Sequence, residues 1–164
     1  IGPGKMLPQN MLNQSGERSQ PIRLEAPQYV RNMVFPRIEG RFVAVMHTAQ
    51  ADRGMVASEF HTRCVQRGEV HELICMRQDE SGLVDLNDAW YLGFIEFFSG
   101  CVLAKGMRFE WNGEILGTLA AFDTTHTPNH LNILLAIPTP RTGREQGIQA
   151  GDLCYIAAGA DEPS

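Results

Sequence analysis

Residues 107–122 read MRFEWNGEILGTLAAF, and this stretch decides the fold class. Met107, Phe109 and Trp111 alternate with Arg108 and Glu110, the two-residue period of a strand with one buried face. Asn112 and Gly113 follow at once. Both central residues of a tight two-residue hairpin turn need positive φ, and Asn-Gly is the pair that supplies it most readily. Residues 114–122 then form the return strand, with Gly117 marking a bulge or a close backbone contact.

The same grammar repeats outward from this hairpin. Upstream, residues 41–49, 55–66, 69–77, 89–98 and 101–105 read as strands, separated by turns at 52–54, 67–68, 78–82 and 99–100 and by a polar loop at 85–88. Downstream come a loop at 123–130, a strand at 131–137, a second loop at 138–147, a turn at 150–152 and a last strand at 153–157. Residues 22–38 are ambiguous. Tyr29, Val30, Met33 and Val34 have helical spacing, but Pro27 and Pro36 leave room for only about two turns. About eight or nine short strands with little helix predict an all-β, mainly antiparallel fold, either a small β-barrel or a two-sheet sandwich. Several strands are apolar on both faces, and closure removes exposed edges, so the barrel is preferred. An α+β fold with a helix at Tyr29 is the rival.

Composition agrees with a packed domain. Of 164 residues, 43% are hydrophobic and 20% charged, enough apolar material for a core and unlike a disordered chain. The formal net charge of −5 argues against a nucleic-acid surface, which is usually basic. No apolar run reaches the length needed to span a bilayer as a helix, so no membrane partner is expected. The expected organisation is a flexible tail at 1–21, one barrel-like domain at 22–158 and a short tail at 159–164. Residues 1–5, ahead of Met6, read as a remnant added during cloning rather than as part of the natural chain. No basic-then-apolar signal is read at the start. Cys64, Cys75, Cys101 and Cys154 are scattered without a CxxC pair, so they read as small buried hydrophobes in a reducing cytoplasm. Strands apolar on both faces also suit subunit packing, and a homo-oligomer is expected.

Chemistry concentrates in residues 122–132, FDTTHTPNHLN. Asp123, His126, Asn129, His130 and Asn132 sit between two apolar strands. Histidine titrates near neutral pH and is the commonest metal ligand. Two histidines four apart normally share a helix face, but Pro128 disfavours helix here, so they can meet only across a turn or at a barrel mouth. With Asp123 or Glu96 they would suit a divalent metal with an open position. The plainer reading is a turn that caps its own backbone and leaves its histidines solvated.

Glu96 is the second candidate. Simple alternation puts it on one face with Leu92, Phe94 and Phe98. Inside a barrel such a carboxylate is costly and its pKa should rise, which suits a general acid or base. On an outer face it would only interrupt an apolar edge. The third is the loop holding Arg141 and Arg144, able to clamp a carboxylate or phosphate but lacking the order of a phosphate-binding P-loop. A solvated mobile loop is its plainer reading. His47 ends a strand near the same mouth, while His61 and His71 read as residues of exposed strand faces. Serine-hydrolase, zincin, dinucleotide and EF-hand signatures are missing.

The expectation is therefore a small-molecule-binding β-barrel. As an enzyme it would do cofactor-independent acid/base chemistry of the isomerase, cyclase or lyase type, in a pocket near the 123–130 loop. Glu96, His126, His130 and Asp123 would be catalytic. Asn129, Asn132, Arg141 and Arg144 would bind the small organic ligand, with Tyr91 and Trp111, which otherwise read as core or interface aromatics. The alternatives are a non-catalytic binding or oligomeric assembly module, and a divalent-metal enzyme using His126 and His130.

Overall fold

The computed structural model describes residues 18–159. Most of the expected N-terminal tail and residues 160–164 of the C-terminal one lie outside the described residues. In chain order the elements are β1 (Ile22–Arg23), α1 (Gln28–Arg31), β2 (Ile38–Val45), β3 (Ala49–Gln50), β4 (Thr62–Val65), β5 (Val70–Arg77) and β6 (Leu83–Val84). They continue with β7 (Ala89–Phe97), β8 (Cys101–Ala104), β9 (Arg108–Trp111), β10 (Glu114–Asp123), β11 (Asn132–Ile137), α2 (Gly143–Gln146) and β12 (Leu153–Ala157).

Seven strands close into a barrel in the order β2-β12-β9-β10-β11-β5-β7, and a β2–β7 ladder seals the ring. Every ladder in the ring is antiparallel except β11–β5. The chain is thus all-β and mainly antiparallel, a barrel and not a sandwich. β3 extends the edge of β7, while β1–β6 and β4–β8 form separate ribbons. Asn112 and Gly113 both take positive φ in the β9–β10 turn, as their sequence demands. Gly117 sits where the β9–β10 register shifts, and a Cβ there would lie 2.7 Å from that of Leu135.

Two hydrophobic layers explain why several strands are apolar on both faces. The barrel interior holds Phe42, Leu73, Ile95, Phe97, Phe109, Ile133 and Leu135, all fully buried. The opposite face of β5, β10 and β11 carries Ile74, Met76, Ala121 and Leu134, and Met55 covers them from the chain segment after β3. A lone sheet face would leave these side chains in water. Covering them removes that apolar area from solvent at roughly 25 cal/mol per Å².

The structure departs from the sequence reading in five places. Residues 55–66 were expected to be one long strand, but only Thr62–Val65 is. The earlier part lies across the outer face of the barrel, where the Val56 amide donates to the Asp123 carboxylate (2.9 Å) and the Ser58 amide to the Phe122 carbonyl (2.7 Å). Residues 22–38 resolve into a two-residue strand and one turn of helix. Ser19, within the stretch read as tail, is buried, its amide donating to Asn87 Oδ1 (2.9 Å) and its hydroxyl to the Met55 carbonyl. The 138–147 loop, read as solvated and mobile, carries α2, held by a reciprocal Thr142–Glu145 capping box.

The fifth departure moves a site residue. The β5–β7 register shifts between the Leu73–Gly93 and Ile74–Tyr91 pairs, which leaves Leu92 as an extra residue in β7. Strand alternation changes phase there. Leu92, Gly93, Ile95 and Phe97 are buried, while Phe94 and Glu96 are half-buried and Phe98 is exposed. Gly93 has φ 154° and lies against the backbone of β2, where a Cβ would sit 2.2 Å from the Ala44 carbonyl oxygen.

Candidate functional site

One row of register partners crosses four neighbouring strands. Asp123 of β10 pairs with Asn132 of β11, Asn132 with Glu72 of β5, and Glu72 with Phe94 of β7. All four point to the outer face of the barrel, since their strand neighbours Phe122, Ile133, Leu73 and Ile95 fill its interior. The next row, Ala121–Leu134–Ile74–Tyr91, is apolar but for the Tyr91 hydroxyl. Three polar side chains, Asp123, Asn132 and Glu72, are therefore buried side by side at the edge of an apolar layer, at 0%, 1% and 6% exposure.

The 124–131 segment folds back over this row. The His130 amide donates to the His126 carbonyl (3.2 Å), and the two rings lie 5.2 Å apart. His130 packs edge-on against Phe94, with ring centroids 4.9 Å apart. Its Nε2 lies 3.3 Å from Glu72 Oε1. Asn129 Nδ2 is 2.8 Å from His130 Nδ1. An amide NH₂ only donates, so Nδ1 accepts and the ring proton resides on Nε2, facing Glu72. His130 Nε2 and Asn132 Oδ1 are both buried without a properly formed hydrogen bond among the described residues. Groups left in that state are uncommon in folded proteins and mark a place worth explaining.

Electrostatics separates these groups from ordinary surface residues. Burial pushes the Glu72 carboxyl up to about 7, against the pull of the Arg53 guanidinium. Burial holds the His130 imidazole below its usual value. His126 and His71 push it further down, and a contact with Asn132 opposes them. Burial also raises the Tyr91 phenol. Arg53 opposes this by charge and by a hydrogen bond, while Glu72 and Asp123 reinforce it. Arg53 itself is buried. One carboxyl and one imidazole, each shifted by burial toward its uncharged form, thus touch in a shielded place.

A second imidazole fixes the frame. His71 Nδ1 accepts from the Leu131 amide (2.9 Å), so its Nε2 carries the proton toward Glu69 Oε1 at 2.6 Å. This joins the residue after His130 to the residue before Glu72. Burial pushes the Glu69 carboxyl up, but the Gln66 amide and His71 outweigh it and hold it low. Asp123 has a similar structural duty. Its carboxylate accepts from the Val56 and Thr125 amides, at 2.9 and 2.8 Å.

The residues singled out from sequence are thus divided. Asp123, His126, Asn129, His130, Asn132 and Tyr91 come together. Glu96 does not join them. It faces outward on β7 and is bound by Arg41, whose guanidinium lies 3.0 Å from Oε1. Trp111 donates from Nε1 to Asp152 (2.9 Å) and is buried with the barrel interior. Arg141 and Arg144 are exposed at α2. His71, expected on an exposed face, is buried, as is Glu72 beside it. Glu72 and Arg53 were missed. The available signal for Glu72 was its place on one strand face with Ile74 and Met76: if both faces of that strand are covered, the carboxyl on it is covered too. Among the described residues, no group of three or more His, Cys, Asp or Glu side chains is placed to hold a metal ion. Nor is any described helix long and apolar enough to cross a membrane.

Residues 34–157 match the family model described as a family of unknown function (DUF6917), and the chain belongs to that family. Glu72, Asp123, His126, His130 and Asn132 all fall inside the matched region. No curated protein and no solved structure matched the chain.

Proposed function

We propose that the protein binds a small organic molecule beside the 124–131 segment and moves a proton on it, with Glu72 and His130 as acid and base. The observation that carries this reading is the buried Oε1–Nε2 approach of 3.3 Å between them. Their displaced pKa values support it. A general acid works best when its pKa lies near the ambient pH, and burial brings Glu72 up to about 7, while His130, held below its usual value, serves as the base. At this separation a proton can pass between the two groups. Either can then take a proton from a substrate carbon or oxygen while the other returns one. Asn132 and Asn129 orient the pair and the ligand. His71 and Asp123 hold the two strand ends that carry it. The chemistry that fits is isomerisation, cyclisation or elimination, without an organic cofactor.

The test is solvent exchange. A panel of small carbonyl compounds and hydroxy acids is incubated with the protein in D₂O, and loss of C–H signal is followed by proton NMR. At least one compound should exchange, and Glu72→Gln and His130→Gln should each slow it by roughly 10²-fold or more. Thermal unfolding of both variants checks that the fold survives. Exchange at equal rates in all three proteins would remove the pair from the chemistry, and binding without exchange would leave a plain binding module.

A further inference from the structure

We infer that a second site lies beside the first on the outer face of β10: a cavity that binds a small monocarboxylate with a compact apolar body. This goes beyond the proton-transfer reading and does not rest on it. The cavity measures about 190 Å³. Ala120 and Ala121 of β10 line one side, and Ile22 and Ala57 add further apolar walls. Lys105 and His61 also line it, and the Lys105 amide donates to the His61 carbonyl (2.9 Å), which fixes both residues at one edge. Asp123, two residues beyond Ala121, begins the polar row, so the two sites are neighbours on one strand.

Three features define the ligand. The first is size: a dry apolar cavity of roughly 150 Å³ accepts benzene, so this one has room for a ring or short chain with a small head group. The second is charge. Lys105 is the only permanently ionised side chain among the described lining residues, so a single negative charge matches it better than a dianion. The third is partial dehydration. Burial pulls the Lys105 ammonium below its usual pKa, while Glu25 pulls it back up. A cation that has lost part of its water gains more from an anionic partner than one in bulk solvent. Lysine acts as a point charge and sets no planar geometry, which suits a carboxylate at the end of a variable body.

Benzoate and uncharged benzyl alcohol are the probes, titrated into the full chain by calorimetry and by ¹⁵N-correlated NMR. Benzoate should bind and shift the amides of residues 57–58 and 120–121. Lys105→Met should weaken benzoate by roughly tenfold and leave benzyl alcohol unchanged. Ala57→Leu, which fills the cavity from a half-buried position, should weaken both. Glu72→Gln should leave benzoate binding as it is, so failure here is distinct from failure of the proton-transfer reading. Equal benzoate binding in wild type and both cavity variants overturns the proposal. So does shift of amides elsewhere, or no binding at millimolar concentration.

Discussion

At the scale of single residues, a carboxyl that keeps its proton up to about pH 7 makes stability depend on pH in a definite sense. The folded state of Glu72 holds its proton more tightly than the unfolded chain does. The resulting stabilisation is complete below the ordinary value of 4.5 and is lost as pH rises through about 7. A shift of this size corresponds to at most about 3 kcal/mol. Urea unfolding between pH 4.5 and 8 should therefore show a declining component that Glu72→Gln removes; an unchanged slope in the variant would assign the titration elsewhere. His130 acts in the opposite direction. Its pKa is depressed, so its contribution is present above the ordinary histidine value and is lost as pH falls. Replacing it with Gln should raise relative stability on the acid side only. The histidines and amides of this cluster were legible in sequence because they crowd one short segment. Glu72 was not, because its environment is made by residues near 53, 94 and 132. Only the folded sheet brings those together.

Secondary-structure elements were readable where their cause is local. The β9–β10 hairpin follows from Asn112 and Gly113 alone, and α2 is held by Thr142 and Glu145 within its own turn. Thr142→Ala should cost about 1 kcal/mol in urea unfolding, an ordinary capping loss. The β7 bulge has a different origin. There the backbone of β2 lies close against Gly93, a contact between residues some fifty positions apart, and period-two alternation carries no trace of it. That single extra residue turns Glu96 outward to Arg41, away from the 124–131 segment. Gly93→Ala must push its new Cβ away from the Ala44 carbonyl oxygen, and a loss of about 3 kcal/mol or more is expected. A value near that of the capping variant would mean that the two backbones separate easily. Residues 55–61 misled for a related reason. Their alternation is real, but Val56 and Ser58 bond to the Asp123 carboxylate and the Phe122 carbonyl from outside the barrel.

For the whole molecule, the four thiols report on closure. Cys64 is exposed and Cys101 half-buried, whereas Cys75 and Cys154 are fully enclosed, and burial pushes the latter two up to about 12. A thiol-specific reagent at neutral pH should label Cys64 in the native protein and reach Cys75 and Cys154 only at the rate of global unfolding. Rapid native labelling of either would show that the barrel opens locally. Strand content and a covered double face were legible in the sequence; the choice of barrel over sandwich was only a preference, since both satisfy the same alternation. The ring has one further property. Directions that alternate around a circle can return to their start only if the count is even, and here it is seven. Somewhere two neighbours must run the same way, and that seam is β11 beside β5. Both strands therefore begin at one rim, and the segments leading into them arrive together. The meeting of carboxyl and imidazole is thus a consequence of parity: with an even ring, those two leaders would have reached opposite ends of the cylinder.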